Sequence, residues 1–218
     1  MTRWRILFDY DDTLIRHDND QELKLMAEYL GVELTKTLKC ELVTFYTKMG
    51  REFNNVKVTK LLFNDFIIAN LPFLKHYGIH INKFLEAQMY KDNNHLMIME
   101  DAIQVLEYLK SKNYFMCIFT NGFRDEQIAS LKSQGLYEYF DRVYGWDNFY
   151  AKPDIRAFYR ALAGTSPDEN IMIGNSRVND IAPAKEIGIY TYGFNLDKYG
   201  KILPDVELKE LKELKTYL

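Results

Sequence analysis

Three short apolar runs, each followed at once by polar residues, constrain the fold of this chain more than any other feature of its sequence. They cover residues 4–8, 114–119 and 170–173, and each has the length and composition of a buried strand. Two further short strands are predicted at residues 141–144 and 189–192, with helical patterns between the strands. Alternating strands and helices predict an α/β fold built on a parallel sheet with right-handed crossovers.

A long stretch after the first strand departs from this alternation. Helical periodicity recurs there with no convincing strand between the helices, at residues 21–30, 37–49 and 59–77. We therefore predict an α/β core formed by residues 1–18 and 94–218, and a small all-helical unit inserted at residues 19–93. The C-terminal residues 206–218 carry a leucine stripe and are predicted to form one amphipathic helix that packs on the core.

The composition is that of an ordinary globular protein. Of its 218 residues, 47% are hydrophobic and 27% are charged, and the net charge of −3 offers no basic surface for polymeric nucleic acid. The cysteines, Cys40 and Cys117, form no metal-binding or disulfide pattern, and the first apolar run is too short for a signal peptide or a membrane anchor. We expect a cytoplasmic monomer or homodimer that does not bind membranes.

Asp9 and Asp11 follow the first strand and are separated by one residue. Side chains alternate along a strand, so the two carboxylates are expected on the same side. Like charges this close are costly unless a cation or a proton offsets them, which makes such a pair typical of a metal or acid/base site. A turn with helix-capping potential at residues 11–13 is the simpler alternative. Because ligands of open α/β sheets bind at the carboxyl ends of the strands, the three polar clusters are expected to converge.

At this point the sequence resembles the haloacid dehalogenase superfamily. The segment 6–14, an apolar strand followed by Asp-Tyr-Asp-Asp-Thr, resembles its first motif, and Thr120 at the end of the second strand resembles the second motif. Lys152 before Pro153 resembles the third motif, and Gly-Asn-Ser-Arg-Val-Asn-Asp at residues 174–180 resembles the fourth. The resemblance implies a Rossmann-like core and a helical cap inserted between the first and second motifs.

The resemblance also implies roles for the residues of the motifs. Asp9 is the expected nucleophile, Asp11 the acid and base, Thr120 a donor to the phosphoryl group, and Lys152 a positive charge beside both. Asn121, Gly122 and Thr13 are expected to bind phosphate or to orient the loop. Thr120 has a simpler alternative role as a helix cap, and Lys152 taken alone has one as a surface lysine.

The implied cofactor is Mg²⁺, with Asp9, the main-chain carbonyl of Asp11, and Asn175 or Asp180 as ligands. Relatives usually carry Asp where this chain has Asn175. A neutral amide oxygen still ligates a hard cation, but we expect weaker binding. Ser176 and Asn179 are interpreted either as residues that orient the metal shell or as helix caps.

Some residues outside the motifs are candidates for contact with the substrate. Arg16, His17 and Asp18 lie on the expected hinge into the cap, and Trp146 and Asp147 precede Lys152 on a loop. Polar residues of the cap are further candidates, with a solvated helix face as the simpler alternative: Lys48, Arg51, Asn54 and Asn55.

These features predict a Mg²⁺-dependent phosphomonoesterase for a small phosphorylated metabolite, such as a nucleotide or a sugar phosphate. A 2-haloacid dehalogenase is the first alternative, and Asp11 argues against it because a departing halide needs no proton. A catalytically weak binding protein is the second alternative, and Asn175 is the only residue that suggests it.

Overall fold

The computed structural model describes residues 4–53, 56–94 and 97–218, with the backbone alone for residues 89–94. Its centre is a sheet of six parallel strands, and four shorter strands form two antiparallel pairs beside it. In chain order the strands are β1 Arg5–Phe8, β2 Ile15–Arg16, β3 Lys57–Val58, β4 Met97–Ile98, β5 Phe115–Phe123, β6 Arg142–Trp146, β7 Phe149–Tyr150, β8 Asn170–Gly174, β9 Tyr190–Phe194 and β10 Val206–Leu208.

Helices cover both faces of the sheet and form most of the insertion. They are α1 Asn19–Leu30, α2 Lys36–Glu52, α3 Lys60–Asn70, α4 Ile81–Asn94, α5 Ala102–Ser111, α6 Arg124–Ser133, α7 Ile155–Leu162, α8 Ala182–Glu186 and α9 Leu214–Tyr217. None of the helices in the described ranges has both the length and the apolar character to cross a membrane.

The sheet has the strand order β10-β9-β8-β1-β5-β6, which confirms the predicted parallel α/β core. All five predicted strands are present, and β1 lies in the middle with Phe8 opposite both Ile118 of β5 and Ile173 of β8. Two apolar clusters bury the two faces of the sheet, one around Phe8 and Ile118 and one around Leu7 and Cys117. The sheet thus sets the carboxyl ends of β5, β1 and β8 side by side.

The prediction of one helix at residues 206–218 is wrong. The segment begins as β10, which pairs in parallel with β9 through Val206 and Tyr192, and it ends in a short 3₁₀ turn and α9. The open edge of β9 offers backbone hydrogen bonds that a strand can satisfy and a helix cannot. The leucines of the stripe are nevertheless buried, with Leu208, Leu211 and Leu214 at most 3% exposed.

The insertion differs from its predicted helices in two places. The helix expected at residues 59–77 ends at Asn70, and a 3₁₀ segment, Pro72–Tyr77, follows because proline cannot continue the helical hydrogen bonding. Helix α4 was not predicted. The insertion also contains the short strand β3, which pairs antiparallel with β7.

Besides the pairing of β3 with β7, the insertion is joined to the rest of the chain by a strand pair and by an aromatic cluster. Strands β2 and β4, where the chain leaves and re-enters the sheet domain, pair antiparallel. An aromatic cluster forms the second contact, with the ring of Phe53 centred 5.5 Å from that of Trp146 and the ring of Phe63 centred 5.1 Å from that of Phe123. The division into a core and a cap with the boundaries 1–18, 19–93 and 94–218 stays a prediction.

Candidate active site

Asp9 lies directly after β1, and hydrogen bonds hold both its backbone and its side chain. Its backbone N–H donates to the carbonyl of Ile173 at 2.8 Å, and its side chain is buried, with the residue 6% exposed. Oδ1 accepts a hydrogen bond from Lys152 Nζ at 2.7 Å, and Oδ2 accepts one from Thr13 Oγ1 at 3.1 Å. Thr13 therefore orients the Asp9 carboxylate in this structure.

Lys152 is buried between two carboxylates. Its Nζ atom lies 2.7 Å from Asp9 Oδ1 and 2.6 Å from Asp180 Oδ1, and the lysine side chain is 2% exposed. Burial works to lower the pKa of Lys152, but Asp180 and Asp9 outweigh it and raise the pKa above its ordinary value. The lysine is thus charged and neutralises one of its two neighbours. Its burial excludes the simpler alternative of a surface lysine.

The charge balance of this buried group leaves one negative charge in excess. Burial, followed by the charge of Asp180, raises the pKa of Asp9 from 3.8 to about 7, although Lys152 works to lower it. The pKa of Asp9 is raised because the single ammonium group of Lys152 cannot compensate two buried carboxylates. A buried site with this excess fits a bound cation.

The loop that carries Lys152 is fixed by the second motif. Asn121 Nδ2 donates to the carbonyl of Lys152 at 2.8 Å, and the backbone N–H of Lys152 donates to Asn121 Oδ1 at 2.9 Å. Both polar atoms of this side chain are therefore engaged. The side chain of Asn121 therefore holds the loop of Lys152 in this structure, and its expected phosphate contact stays a prediction.

Thr120 and Gly122 flank Asn121 and have different surroundings. The Oγ1 atom of Thr120 is buried and has no hydrogen-bond partner among the residues that the structure describes. Thr120 is not a helix cap, because α6 begins at Arg124 with Phe123 in the capping position. A Cβ atom on Gly122 would lie 2.5 Å from Nε2 of Gln127, so the glycine lets that amide approach the backbone closely.

Asp180 and Ser176 close the other side of the site. Asp180 is 1% exposed, its Oδ1 accepts from Lys152, and its Oδ2 accepts from the backbone N–H of Ser176 at 3.0 Å. Ser176 caps the following helical turn, because its Oγ accepts from the backbone N–H of Asn179 at 3.2 Å. Each oxygen of Asp180 thus accepts one hydrogen bond and keeps a lone pair that could face a metal ion or a water bound to it.

Asn175 follows β8 and is partly exposed. Its main-chain carbonyl accepts from the backbone N–H of Asp197 at 2.8 Å. Asn179, near it in sequence, has a buried Oδ1 without a hydrogen-bond partner in the described part of the chain. Gly174 allows Asp180 to approach, since a Cβ there would lie 2.5 Å from Asp180 Oδ2.

Asp11 points to a partner that its own motif does not contain. Its Oδ1 lies 2.9 Å from Nε2 of His17, and Nδ1 of the same ring lies 2.6 Å from Oε1 of Glu22. Burial works to lower the pKa of His17, but the hydrogen bonds to Asp11 and Glu22 outweigh it and raise the pKa to about 10. Asp12 has a φ of 56°, a left-handed conformation that suits a tight turn after β1.

Both ring nitrogens of His17 face carboxylates in this structure, and its contact with substrate stays a prediction. Glu22 was missed, since no motif or periodicity marks a residue of α1 as a partner of the hinge. Asp18 caps α1 by accepting from the backbone N–H groups of Asp20 and Gln21, each at 3.1 Å, and Arg16 is exposed in β2.

The other candidate substrate contacts are dispersed. Trp146 is buried in the aromatic cluster, and Asp147 accepts a hydrogen bond from Arg160 at 3.2 Å. Lys48 donates to Asn70 on the insertion, and Arg51 is exposed. The two remaining candidates lie outside the described residues: Asn54 and Asn55.

The residues present fit a divalent cation, though as an incomplete shell. In the described ranges no three His, Cys, Asp or Glu side chains converge into a ready-made metal site. The protein ligands of an ion at this sheet edge would be the buried carboxylate of Asp9 and neutral oxygens such as the Asp11 carbonyl and the Asn175 amide. Oxygen ligands of this kind suit Mg²⁺, which commonly keeps several waters.

Comparison with known proteins identifies the family. Residues 6–194 match the model of the haloacid dehalogenase-like hydrolases. A glyceraldehyde 3-phosphate phosphatase of Methanothermobacter thermautotrophicus is 36% identical over 200 residues, covering 84% of this chain and 82% of that protein. The pyrimidine 5′-nucleotidase PynA of Streptococcus pneumoniae is 25% identical over 220 residues, covering 96% of this chain and 92% of that protein.

Among solved structures, the magnesium-bound crystal structure of the HAD-hydrolase YfnB of Bacillus subtilis has the same fold. It superposes with a TM-score of 0.78 at 24% identity, covering 99% of both chains. Together with the family match and the ordered motifs, these relatives place the chain in a family. The chain belongs to the haloacid dehalogenase-like hydrolases.

Proposed function

We propose that the protein is a Mg²⁺-dependent phosphomonoesterase that hydrolyses a small phosphorylated metabolite through an aspartyl-phosphate on Asp9. The observation that carries the proposal is the buried contact of Lys152 with Asp9, next to a second acid, Asp11, two residues further along the chain. A buried carboxylate held beside a fixed ammonium group is suited to attack phosphorus, because the ammonium compensates the negative charge of the transferred group.

The proposed reaction proceeds in two steps. One carboxylate oxygen of Asp9 attacks phosphorus, and the bond between phosphorus and the ester oxygen breaks as Asp11 donates a proton to the departing alcohol. Water then attacks the phosphorus of the aspartyl-phosphate, Asp11 takes a proton from that water, and phosphate departs as the Asp9 carboxylate is restored. Asp11 therefore ends each turnover in the protonation state in which it began.

Thr120 and the backbone of the second motif receive the phosphoryl oxygens in this proposal. The Thr120 hydroxyl is suited to donate to a phosphoryl oxygen because it is buried and has no partner in the described part of the chain. The backbone N–H groups of Asn121 and Gly122 lie next to it. The side chain of Asn121 acts indirectly, by holding the loop of Lys152.

Mg²⁺ would be held by Asp9, the Asp11 carbonyl and Asn175, with Asp180 acting through water, and it would lower the cost of bringing a phosphate dianion to a carboxylate. Within this set Asn175 contributes no charge. We therefore expect a weaker metal site than one with Asp at this position.

The proposed substrate is a phosphorylated metabolite of low molecular weight. The names of the two relatives, a glyceraldehyde 3-phosphate phosphatase and a pyrimidine 5′-nucleotidase, support a soluble phosphate ester. The phosphate esters in these two names differ in the part of the molecule to which the phosphate is attached. We therefore propose a sugar phosphate or a nucleotide, and no polymeric nucleic acid.

Two other functions compete with this proposal. A haloacid dehalogenase would use Asp9 on carbon and would need no second acid, whereas this chain retains Asp11 in a hydrogen-bonded position. A catalytically weak binding protein is favoured only by Asn175, while Asp9, Lys152 and Asp180 form an intact buried group.

Release of inorganic phosphate from p-nitrophenyl phosphate tests the proposal, with Asp9→Asn and omission of Mg²⁺ as the two comparisons. We expect release by the wild type with Mg²⁺, and a loss of about a thousandfold or more in the variant or without the metal ion. A variant that releases phosphate at the wild-type rate would exclude Asp9 as the nucleophile.

A further inference from the structure

The acid Asp11 contacts His17, and His17 contacts Glu22, two residues that none of the four motifs contains. Its Oδ1 lies 2.9 Å from Nε2 of His17, and the other ring nitrogen of His17 lies 2.6 Å from Oε1 of Glu22. We propose that His17, anchored by Glu22, is the positioning residue that aims the Asp11 carboxylate at the leaving group. The proposal rests on the proposed function, because it concerns the proton that Asp11 gives to the departing alcohol.

Asp11 needs such a partner because burial does not fix it. Its side chain is 47% exposed, in contrast to the 9% of the Asp9 side chain, so packing alone leaves several rotamers open. A hydrogen bond from His17 to Oδ1 selects one orientation. It leaves Oδ2 without a hydrogen bond in the described part of the chain, and this oxygen is then available for transferring the proton.

His17 can position Asp11 because it is itself held firmly. The imidazole side chain is 18% exposed and the carboxylate of Glu22 is 6% exposed, so both lie away from bulk water. The backbone N–H of His17 also donates to Asp12 Oδ1 at 3.3 Å. Histidine has two ring nitrogens on opposite sides, and here each faces one carboxylate, which places the ring as a rigid link between Asp11 and Glu22.

The anchor belongs to the insertion and the acid belongs to the sheet. Glu22 lies in the first turn of α1, which begins three residues after β2, the strand through which the chain passes into the insertion. The direction of the Asp11 carboxylate is therefore tied to the position of α1. Proton transfer to the leaving group, rather than binding of the phosphoryl group, should depend on this link.

A purely structural role for the same contacts makes a different prediction. If His17 and Glu22 only stabilised the hinge, their loss would lower activity equally for every ester. If they position the acid, the loss should grow as the leaving group becomes less acidic, because a good leaving group departs without a proton and a poor one does not.

The experiment compares kcat/KM for p-nitrophenyl phosphate and for phenyl phosphate, two aryl esters that differ in the acidity of the leaving group. For His17→Ala we expect a loss of about tenfold or more on phenyl phosphate and of about twofold on p-nitrophenyl phosphate. Glu22→Ala should give a smaller change in the same direction. His17→Gln should restore part of the loss, because its amide nitrogen can still donate to Asp11.

His76→Ala removes an exposed histidine of the insertion and serves as the matched control, with no change expected on either ester. Equal losses on both esters in His17→Ala, or no loss on either, would overturn the proposal. If His17→Ala does not fold, the same comparison is made with His17→Gln and Glu22→Ala. A wild type that releases phosphate from neither ester would instead contradict the proposed function, and the role of His17 would fall with it.

Discussion

Lys152 donates a hydrogen bond of 2.7 Å from Nζ to Oδ1 of Asp9, a residue 143 positions away in the chain. The same Nζ atom contacts Asp180 at 2.6 Å. This one ammonium joins the first, third and fourth motifs into a single buried group. We therefore expect the stability of the fold and the proposed chemistry to depend on the same three side chains.

Replacing Lys152 by Met should destabilise the protein strongly. It leaves Asp9 and Asp180 buried without a counter-charge, which typically costs about 3 to 5 kcal/mol. Chemical denaturation at about pH 8 measures the change, and the loss should be smaller at about pH 5, where Asp9 is protonated. Lys201→Met, an exposed site, is the control. Adding Asp180→Asn to Lys152→Met should recover part of the stability, and a double variant no more stable than the single one would contradict this account.

Asp9→Asn should make the metal-free protein more stable above neutral pH. The folded pKa of Asp9, about 7, lies above its ordinary value of 3.8, so protonation favours the folded state. The contribution is present below about pH 4 and is lost as the pH rises through about 7. Asparagine stays neutral, so the variant keeps this contribution at high pH. We expect its free energy of unfolding to exceed that of the wild type by about 1 to 3 kcal/mol at about pH 8 in the presence of a chelator.

Thermal unfolding across this pH range measures that gain. Added Mg²⁺ should raise the melting temperature of the wild type more than that of Asp9→Asn, because the ion binds the carboxylate. If the two proteins have the same pH dependence without metal, the excess negative charge assigned to the site is wrong.

Thr120→Val should separate activity from stability. The Thr120 hydroxyl has no partner among the described residues, so its removal should leave the free energy of unfolding unchanged or slightly increased. Phosphate release should fall by about 10- to 100-fold, since a donor to the phosphoryl group is lost.

Thr191→Val is the matched control for this variant. Thr191 is also buried, but its hydroxyl donates to Asp205 at 2.7 Å and lies in β9, away from the motifs. It should cost about 1 to 2 kcal/mol of stability and leave the rate of phosphate release unchanged. A Thr120→Val protein with full activity would remove Thr120 from the proposed phosphate site.

The sequence predicted the residues whose position follows from the sheet. Asp9 directly follows β1, and Thr120 lies in the adjacent strand β5 just beyond the residues that pair with β1, so strand order brings them to the same edge. Lys152 follows a short loop. Its approach to Asp9 was predicted from the order of the four motifs and not from the strand pattern. Periodicity along the chain is sufficient where the side chains belong to the strands themselves.

What was missed depends on the folded geometry of turns and sheet edges, which periodicity does not show. Glu22 meets His17 only because α1 begins just beyond the hinge, a geometry that no local pattern encodes. Strand β10 is three residues long, and it is a strand because the edge of β9 is free to pair with it. In both cases the arrangement of the folded chain, rather than a recognisable residue pattern, decides the outcome.

Asn175→Asp should tighten the binding of Mg²⁺. A second charged oxygen next to Asp9 increases the attraction for a divalent ion, and we expect the Mg²⁺ concentration for half-maximal activity to fall by about tenfold. Asn82→Asp adds the same charge at an exposed position of α4 and should leave this concentration unchanged. An identical Mg²⁺ dependence in Asn175→Asp and the wild type would exclude Asn175 from the metal site.

Trapping the covalent intermediate tests the central claim most directly. The protein is turned over with p-nitrophenyl phosphate and Mg²⁺ and treated with borohydride, which reduces an acyl phosphate to an alcohol and so converts a phosphorylated aspartate to homoserine. We expect peptide mass spectrometry to find homoserine at position 9, and only when both substrate and Mg²⁺ are present. Steady release of phosphate with no modified residue, or with the modification at another aspartate, would contradict the assignment of Asp9 as the nucleophile.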